Sequence, residues 1–172
     1  MKEIEKKYLL KKIPDLSNCK YVDIEQSYLN ISPDPILRLR KYGDKYYLTY
    51  KSKIKTQYDL NVANEYELPI CKEVYDKLLN KIESNIVKKR RYFITLDNNL
   101  IAELDIYDNQ LKGFANVEIE FKNEEEYKNF IKPNWFGKDI TKEKKFINSN
   151  LSTINELSEL MEVLYEKNNY SC

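Results

Sequence analysis

The feature that most constrains this chain is a set of charged residues that recur at every second position in seven short segments. These segments are Glu3/Glu5/Lys7, Arg38/Arg40, Lys51/Lys53, Glu65/Glu67, Lys89/Arg91, Glu103/Asp105 and Glu118/Glu120. Residues two apart on a β-strand point to the same face, so each segment would present its charges on one side. Apolar residues often occupy the alternate positions, as Leu37 and Leu39 do. The pattern predicts strands with one charged and one apolar face.

The number of such strands is sufficient to close a small barrel. The 15 tyrosines and many β-branched residues fall in short runs separated by turn residues, which is typical of strands. The predicted strands are 2–10, 21–31, 35–42, 45–53, 62–70, 87–96, 100–107 and 114–122. We therefore expect an α+β fold: an eight-stranded antiparallel closed β-barrel that forms one domain over residues 1–172.

Helices are expected outside this barrel and at its C-terminal end. Asn123 and Thr141 resemble helix N-caps, and Asn123 is followed by a glutamate-rich first turn. The run from about 153 to 167 is amphipathic and predicts a C-terminal helix that either plugs one end of the barrel or mediates a homodimer. The three shorter helices are predicted at 72–83, 123–131 and 141–150.

The strand register tests whether the charged residues of neighbouring strands lie on the same face of the sheet. If Gly43-Asp44 forms a two-residue hairpin turn, Arg38 lies opposite Thr49, and the arginine pair shares a face with Lys51. A second hairpin would place Glu103 opposite Glu118. Two like charges so close repel each other unless a cation lies between them.

The plainer interpretation is that these charges form the solvated outer faces of ordinary antiparallel strands. Such faces usually mix uncharged polar residues with charges of both signs, whereas here acidic and basic pairs remain separate along the chain. The pattern therefore favours charges that point inward, into a tunnel with one cationic and one acidic wall. That tunnel would hold water, because burying so many charges in a dry core costs several kcal/mol each.

The composition excludes active sites that depend on histidine or on a glycine-rich phosphate-binding loop. The chain has no histidine and only three glycines, and none of the glycines forms a phosphate-binding loop motif. Phosphate would have to be bound by side chains, and a metal by oxygen atoms, which points to magnesium or manganese.

Charge, cysteine content and hydropathy limit the partners and the compartment. The net charge of +1 predicts no general attraction to nucleic acid or to a membrane surface, and no apolar run approaches the length of a membrane span. The three scattered cysteines fit neither a disulfide framework nor a zinc site. We therefore expect a cytoplasmic protein.

The charged segments, taken in order, resemble the signature of CYTH domains, the triphosphate tunnel metalloenzymes. The N-terminal Glu3-Ile4-Glu5-Lys6-Lys7 matches the ExExK motif of that family. The other charged segments follow in the family's order, and Gly137–Thr141 with Asn148 resembles its closing segment, although Asp139 replaces a common glutamate. The resemblance spans residues 3–151 and is greatest to the small bacterial inorganic triphosphatases.

The resemblance implies a role for each charged residue. Arginine and lysine donate charge-assisted hydrogen bonds to phosphate oxygens. The expected phosphate ligands are Lys7, Arg38, Arg40, Lys51, Lys53, Lys89, Arg91 and Lys138, with Tyr28 beside them. Glu3, Glu5, Glu118 and Glu120 are expected to hold Mg²⁺ or Mn²⁺, with Glu65, Glu67, Glu103 and Asp105 around that ion or a second one. Catalysis is assigned to Lys7, Glu3, Glu5, Lys51 and Arg91.

The resemblance does not decide which reaction the protein catalyses or which group acts as the general base. Hydrolysis of inorganic tripolyphosphate is the first expectation, because the chain has no obvious insertion that could bind the nucleobase of a nucleotide. The alternatives are a class IV adenylate cyclase, a nucleoside or thiamine triphosphatase, and a non-catalytic polyphosphate-binding module. A nucleotide would need a stacking site, for which Trp135 is the residue to inspect. The general base that activates water would be a carboxylate, a lysine of lowered pKa or metal-bound water.

Overall fold

A computed structural model describes residues 4–31, 34–54, 62–97 and 99–160, with the side chains of residues 53, 54, 62 and 63 excepted. Its centre is a single antiparallel sheet of nine strands in the order β5-β4-β3-β2-β6-β7-β8-β1-β9. The strands are β1 Ile4–Leu10, β2 Lys20–Tyr28, β3 Ile36–Tyr42, β4 Lys45–Ile54, β5 Val62–Ile70, β6 Val87–Thr95, β7 Ile101–Tyr107, β8 Ala115–Phe121 and β9 Phe136–Asp139.

The predicted registers are confirmed. Gly43 adopts a left-handed conformation with φ of +57°, and the β3–β4 hairpin pairs Arg38 with Thr49. In the β7–β8 hairpin, Glu103 lies opposite Glu118. The charged residues of both hairpins therefore share one face, as the alternation of charges required.

All eight predicted strands are present, but the sheet has a ninth strand and does not close through hydrogen bonds. Within the described part of the chain, β5 and β9 are its two edges. The prediction missed β9 because Phe136–Asp139 has four residues and follows Pro133, too short a run to show alternation. The sheet nevertheless curves, since side chains from seven strands line one cavity.

The helices agree with the sequence only in part. Helix α1 covers Lys72–Leu79 and α2 covers Glu124–Asn129, so both are shorter than predicted, and Asn123 caps α2 by accepting a hydrogen bond from the Glu126 amide. The helix predicted at 141–150 is wrong. A 3₁₀ turn at Lys144–Phe146 and the short α3, Asn148–Leu151, replace it.

The helix was predicted from Thr141 as its N-cap, but the Thr141 hydroxyl does not cap a helix. The hydroxyl oxygen instead accepts a hydrogen bond from the Lys7 amide and donates one to the Asp139 carboxylate. At the C-terminal end, residues 158–160 are helical, five residues later than predicted, and the rest of that predicted helix lies outside the described residues. No helix in the described ranges is long and apolar enough to span a membrane.

Two apolar clusters surround the charged face. One covers the outer side of β7, β8 and β1, where Leu104, Val117 and Ile119 are buried beneath residues of the α2 region. The other joins Val87 and Tyr107 to Phe114, Phe146, Leu151 and Leu160, so the C-terminal segment packs across one end of the strands. This contact involves the segment up to Leu160, and a helix over 153–167 that plugs one end or mediates a homodimer stays a prediction.

Replacing Gly137 by alanine is expected to destabilise the protein by about 1–3 kcal/mol. A Cβ atom at this position would lie 3.0 Å from the Leu9 carbonyl oxygen and 3.2 Å from its carbon, and neither backbone atom can move without disturbing β1. Urea unfolding of Gly137→Ala and the parent measures the effect. A variant at least as stable as the parent would contradict this account of β9 packing.

Candidate active site

The charged face encloses one cavity of about 240 Å³. Six cationic side chains line it: Lys7, Arg38, Arg40, Lys51, Lys89 and Arg91. The strand order explains their grouping, because basic β4, β3 and β6 are separated only by β2, whereas acidic β7 and β8 adjoin β1. Acidic β5, however, lies at the opposite edge, next to β4. Acidic strands therefore flank the basic strands on both sides, and opposite charges pair directly where they meet.

The Arg91 guanidinium donates hydrogen bonds to three carboxylates, those of Glu103, Asp105 and Glu118. We call these four residues the Arg91 cluster. The Nε and Nη2 atoms of Arg91 donate to the two oxygens of Asp105, each at 2.7 Å. Nη2 also donates to Glu118 at 2.8 Å, and Nη1 donates to Glu103. Arg91 is therefore the cation that lies between the opposed pair Glu103 and Glu118. Burial acts in the opposite direction, but these carboxylates hold the pKa of Arg91 well above its ordinary value.

Lys7 is buried and held at both its side chain and its backbone. Its Nζ atom lies 2.6 Å from Glu118 Oε1 and donates to the Phe146 carbonyl at 3.2 Å. Its backbone N–H donates to Thr141 Oγ1 at 3.0 Å, and that hydroxyl in turn donates to Asp139 at 2.6 Å. The segment that follows β9 therefore fixes the position of Lys7 in the cavity.

Lys89 lies deepest among the cations, with 2% of its side chain exposed, and donates to Asp105. Burial, and then the nearby Arg91, lower the pKa of Lys89 to about 8. Burial alone would raise the pKa of Glu118, but Lys7, Lys89 and Arg91 together lower it. Glu118 therefore stays ionised although it is buried, and it neutralises the surrounding cations.

Arg38, Arg40 and Lys51 form a second basic group across the cavity, next to the carboxylates of β5. Arg38 Nη2 lies 3.1 Å from Glu65 and 3.6 Å from Glu67, and Lys51 Nζ lies 2.9 Å from Glu65. Arg40 is paired less closely, because its Nη1 atom lies 3.9 Å from Glu67. Burial, and then Arg38, lower the pKa of Arg40.

Oxygen donors for a divalent cation are concentrated on β1, β7 and β8. Glu5 and Glu120 are direct partners in the register, and both line the cavity. Burial raises the pKa of Glu103, and Glu120 adds to this effect, although Arg91 opposes it. A bound Mg²⁺ or Mn²⁺ would relieve this crowding, and carboxylate oxygens are its preferred ligands. Within the described ranges, no three acidic or cysteine side chains already converge on one point.

Four of the expected site residues that the structure describes do not line the cavity: Lys138 and the carboxylates Glu67, Glu103 and Asp105, which pair with cations that do line it. Lys138 is exposed on β9, and its Nζ atom lies 3.5 Å from Glu143. The expectation failed because Lys138 lies in the short edge strand that the sequence did not predict. Glu3 and the side chain of Lys53 lie outside the described residues.

Uncharged residues of the cavity were missed by the sequence argument. Gln26 and Thr49 line it, and the Gln26 amide donates to the Tyr28 hydroxyl at 3.1 Å. Ile147 and Ser149 line the cavity as well, on either side of Asn148, which the resemblance to the family had already singled out. Gln26 and Thr49 could have been found from their positions, two residues before Tyr28 and Lys51, but a search restricted to charges passes over them.

Comparisons with known proteins agree with this geometry. A CYTH domain family model matches residues 1–156. An inorganic triphosphatase of Nitrosomonas europaea is 35% identical over 153 residues, which cover 88% of this chain and 97% of that protein. An inorganic triphosphatase of Acetivibrio thermocellus is 32% identical over 151 residues, or 87% of this chain and 92% of that protein. The crystal structure of an inorganic triphosphatase superposes with a TM-score of 0.71 at 32% identity, covering 91% of this chain and 97% of that one. This chain belongs to the CYTH domain family.

Proposed function

We propose that this protein hydrolyses inorganic tripolyphosphate to diphosphate and phosphate. The observation that carries the proposal is the ring of six cationic side chains around a cavity of about 240 Å³. Relatives that are 35% and 32% identical over most of the chain are inorganic triphosphatases. The cavity is smaller than the roughly 300–1,000 Å³ of pockets that hold drug-sized ligands, so a compact polyanion fits it better than a nucleotide does.

The cationic side chains would bind the phosphate chain and hold its terminal phosphorus for in-line attack by water. The new P–O bond forms to the water oxygen, and the bond from the terminal phosphorus to the bridging oxygen breaks. One proton of the water stays on the released phosphate, and the other passes to solvent. Arginine and lysine accelerate such a step by stabilising the charge on the transferring group.

The proposal includes Mg²⁺ or Mn²⁺ bound by the acidic strands. Glu5 and Glu120 would supply oxygen ligands from the cavity wall, with Glu118 beside them and Glu3 as the further ligand that the ExExK motif implies. When bound, the ion neutralises phosphate charge and orients the chain for attack. The direct pairing of Glu5 with Glu120 in the register supports this placement, because two carboxylates side by side favour a cation between them.

The closed barrel expected from the sequence is the form that we propose for the ligand-bound enzyme. A phosphate chain in the cavity would contact cations from both halves of the sheet, such as Arg40 on β3 and Lys7 on β1. One polyanion shared by both halves would draw the two sheet edges together, since each contact is an attraction between opposite charges.

Trp135 and Tyr28 do not favour a nucleotide as the main substrate. Trp135 packs edge-on against Phe136, with ring centroids 4.4 Å apart, in the apolar cluster outside the sheet. Tyr28 is the aromatic residue among the described side chains that line the cavity, and it is buried against Gln26. Neither ring is therefore placed to stack on a base at the cavity mouth.

Phosphate release from tripolyphosphate, ATP and thiamine triphosphate, with Mg²⁺ or Mn²⁺, tests the proposal. We expect tripolyphosphate to be turned over much faster than the other two, and EDTA to abolish the activity. Faster turnover of ATP or thiamine triphosphate, or formation of a cyclic nucleotide, would overturn the choice of substrate. Binding of tripolyphosphate without any release would leave only the non-catalytic module.

A further inference from the structure

Asn148 lines the cavity, and its side chain is also held by a residue behind the cavity wall. The Oδ1 atom of Asn148 accepts a hydrogen bond of 3.1 Å from the Tyr107 hydroxyl. Tyr107 lies on β7, is only 2% exposed and does not belong to the described residues that line the cavity. This hydrogen bond therefore connects the first residue of α3 to the sheet, across 41 positions of sequence.

The direction of this hydrogen bond follows from the chemistry of Tyr107. A buried phenol needs an acceptor for its proton, and among the described residues Asn148 Oδ1 is the acceptor within reach. An Asn148 amide rotated by 180° would donate to the phenol oxygen and leave the phenol proton without an acceptor. A buried donor that is left unsatisfied carries its full desolvation penalty, so the protein favours the orientation with Oδ1 towards Tyr107.

The Tyr107 ring is itself fixed by its neighbours. Its centroid lies 5.0 Å from that of Phe114 and 5.5 Å from the Lys89 Nζ atom. The Tyr107 backbone N–H also donates to the Phe114 carbonyl at 3.1 Å. The hydroxyl is therefore presented at a defined point, which is what a group that orients another side chain requires.

With its oxygen turned to Tyr107, the Asn148 amide presents its NH₂ group to the cavity. In the Arg91 cluster the donors are already bonded to carboxylates, whereas Asn148 Nδ2 makes no hydrogen bond to any described residue. The NH₂ group can donate two hydrogen bonds and carries no charge, so it adds no repulsion among the cations. The rotated amide would present an oxygen, which only accepts hydrogen bonds and would repel a phosphate oxygen.

We propose that Asn148 donates from Nδ2 to an oxygen of tripolyphosphate, and that Tyr107 is a positioning residue that fixes the orientation of the Asn148 amide. Tyr107 does not touch the anion, so its whole effect on binding passes through Asn148. The inference rests on the proposed function for the identity of the anion.

A double-mutant cycle tests this division of roles. Tyr107→Phe removes the hydroxyl and keeps the ring, and Asn148→Ala removes the amide. Isothermal titration calorimetry in one Mg²⁺-containing buffer measures the affinity of the parent, both single variants and the double variant for a methylene-bridged, non-hydrolysable analogue of tripolyphosphate.

The cycle is expected to be strongly non-additive. Asn148→Ala should weaken binding about tenfold or more, because it removes a donor to a charged acceptor. Tyr107→Phe should weaken it about 3- to 10-fold, since the amide then also adopts the orientation that cannot bind phosphate. Adding Tyr107→Phe to Asn148→Ala should cost nothing further. Losses that multiply in the double variant, or a Tyr107→Phe protein that binds like the parent, would overturn the proposal.

Asn148→Asp tests whether the group that faces the cavity must be a donor. Aspartate has the same shape and still accepts a hydrogen bond from Tyr107, but its second oxygen would face the anion. We expect this variant to bind the analogue more weakly than Asn148→Ala does, with the urea midpoint of the parent. Binding as tight as that of the parent would show that the Asn148 side chain does not contact the anion.

Tyr75→Phe is the matched control, because it also removes the hydroxyl of a buried tyrosine. Tyr75 is 3% exposed and packs on Tyr46, on the face of β4 opposite to the cavity residue Thr49. Its affinity should equal that of the parent, and a loss like that of Tyr107→Phe would mean that removing any buried hydroxyl disturbs the cavity.

The same measurements separate this inference from the proposed function. A parent protein that binds the analogue but releases no phosphate from tripolyphosphate would fail the proposed function only. An active enzyme with an additive cycle would fail this inference only, and a parent that does not bind the analogue would overturn both.

Discussion

Glu118→Gln is expected to remove most of the turnover of tripolyphosphate and, at the same time, to lower the free energy of unfolding. The Glu118 side chain is only 10% exposed and lies 2.6 Å from Lys7 and 2.8 Å from Arg91. Glutamine keeps the shape of the side chain but leaves these cations without their shared counter-charge. Removing one partner of a buried ion pair costs about 3–5 kcal/mol. Loss of charge stabilisation at an active site typically costs about 100-fold or more in kcat.

Glu120→Gln is the control for this result. Glu120 lies two residues further along β8 and faces the same cavity, but it is exposed. We expect this variant to lose metal-dependent turnover while its urea midpoint stays that of the parent. Urea unfolding and phosphate release, measured on both variants, separate the two roles. A Glu118→Gln protein as stable as the parent would show that Glu118 is not needed to neutralise Lys7 and Arg91.

Local rules were sufficient to predict which face each charged residue occupies. Alternation along a strand depends only on neighbouring residues, and the turn at Gly43 with its positive φ sets the register of the β3–β4 hairpin. The face shared by Arg38 and Lys51 therefore followed from the sequence. The same reasoning placed Glu103 opposite Glu118.

Contacts between strands that are distant in sequence could not be predicted in this way. The sequence indicated a cation between Glu103 and Glu118 but not which one, and Arg91 lies between them because β6 is the neighbour of β7. The position of Lys138 was misjudged for a similar reason. Its strand is four residues long and is held by pairing with β1, which its own residues do not indicate.

Arg91→Lys is expected to cost about 2 kcal/mol or more in stability, because hydrogen bonds to charged groups are worth about 1.5–3 kcal/mol. The substitution keeps the positive charge but removes the planar fork that binds both oxygens of Asp105 while reaching Glu103 and Glu118. Turnover should fall about 100-fold, since a lysine cannot hold the same geometry against the transferring phosphoryl group.

Arg90→Lys makes the same chemical change one residue away, on the opposite face of β6. Arg90 also binds a carboxylate through two nitrogens, at 2.7 and 3.0 Å from Asp23, and it lies 4.3 Å from the ring centroid of Tyr21. That site is open to solvent, so its ion pair contributes little, and neither the urea midpoint nor kcat should change appreciably. If Arg91→Lys matched Arg90→Lys in both measurements, the positive charge of Arg91 alone would account for its role. If only Arg91→Lys lost stability and turnover, the fork geometry would be the property that the cavity requires.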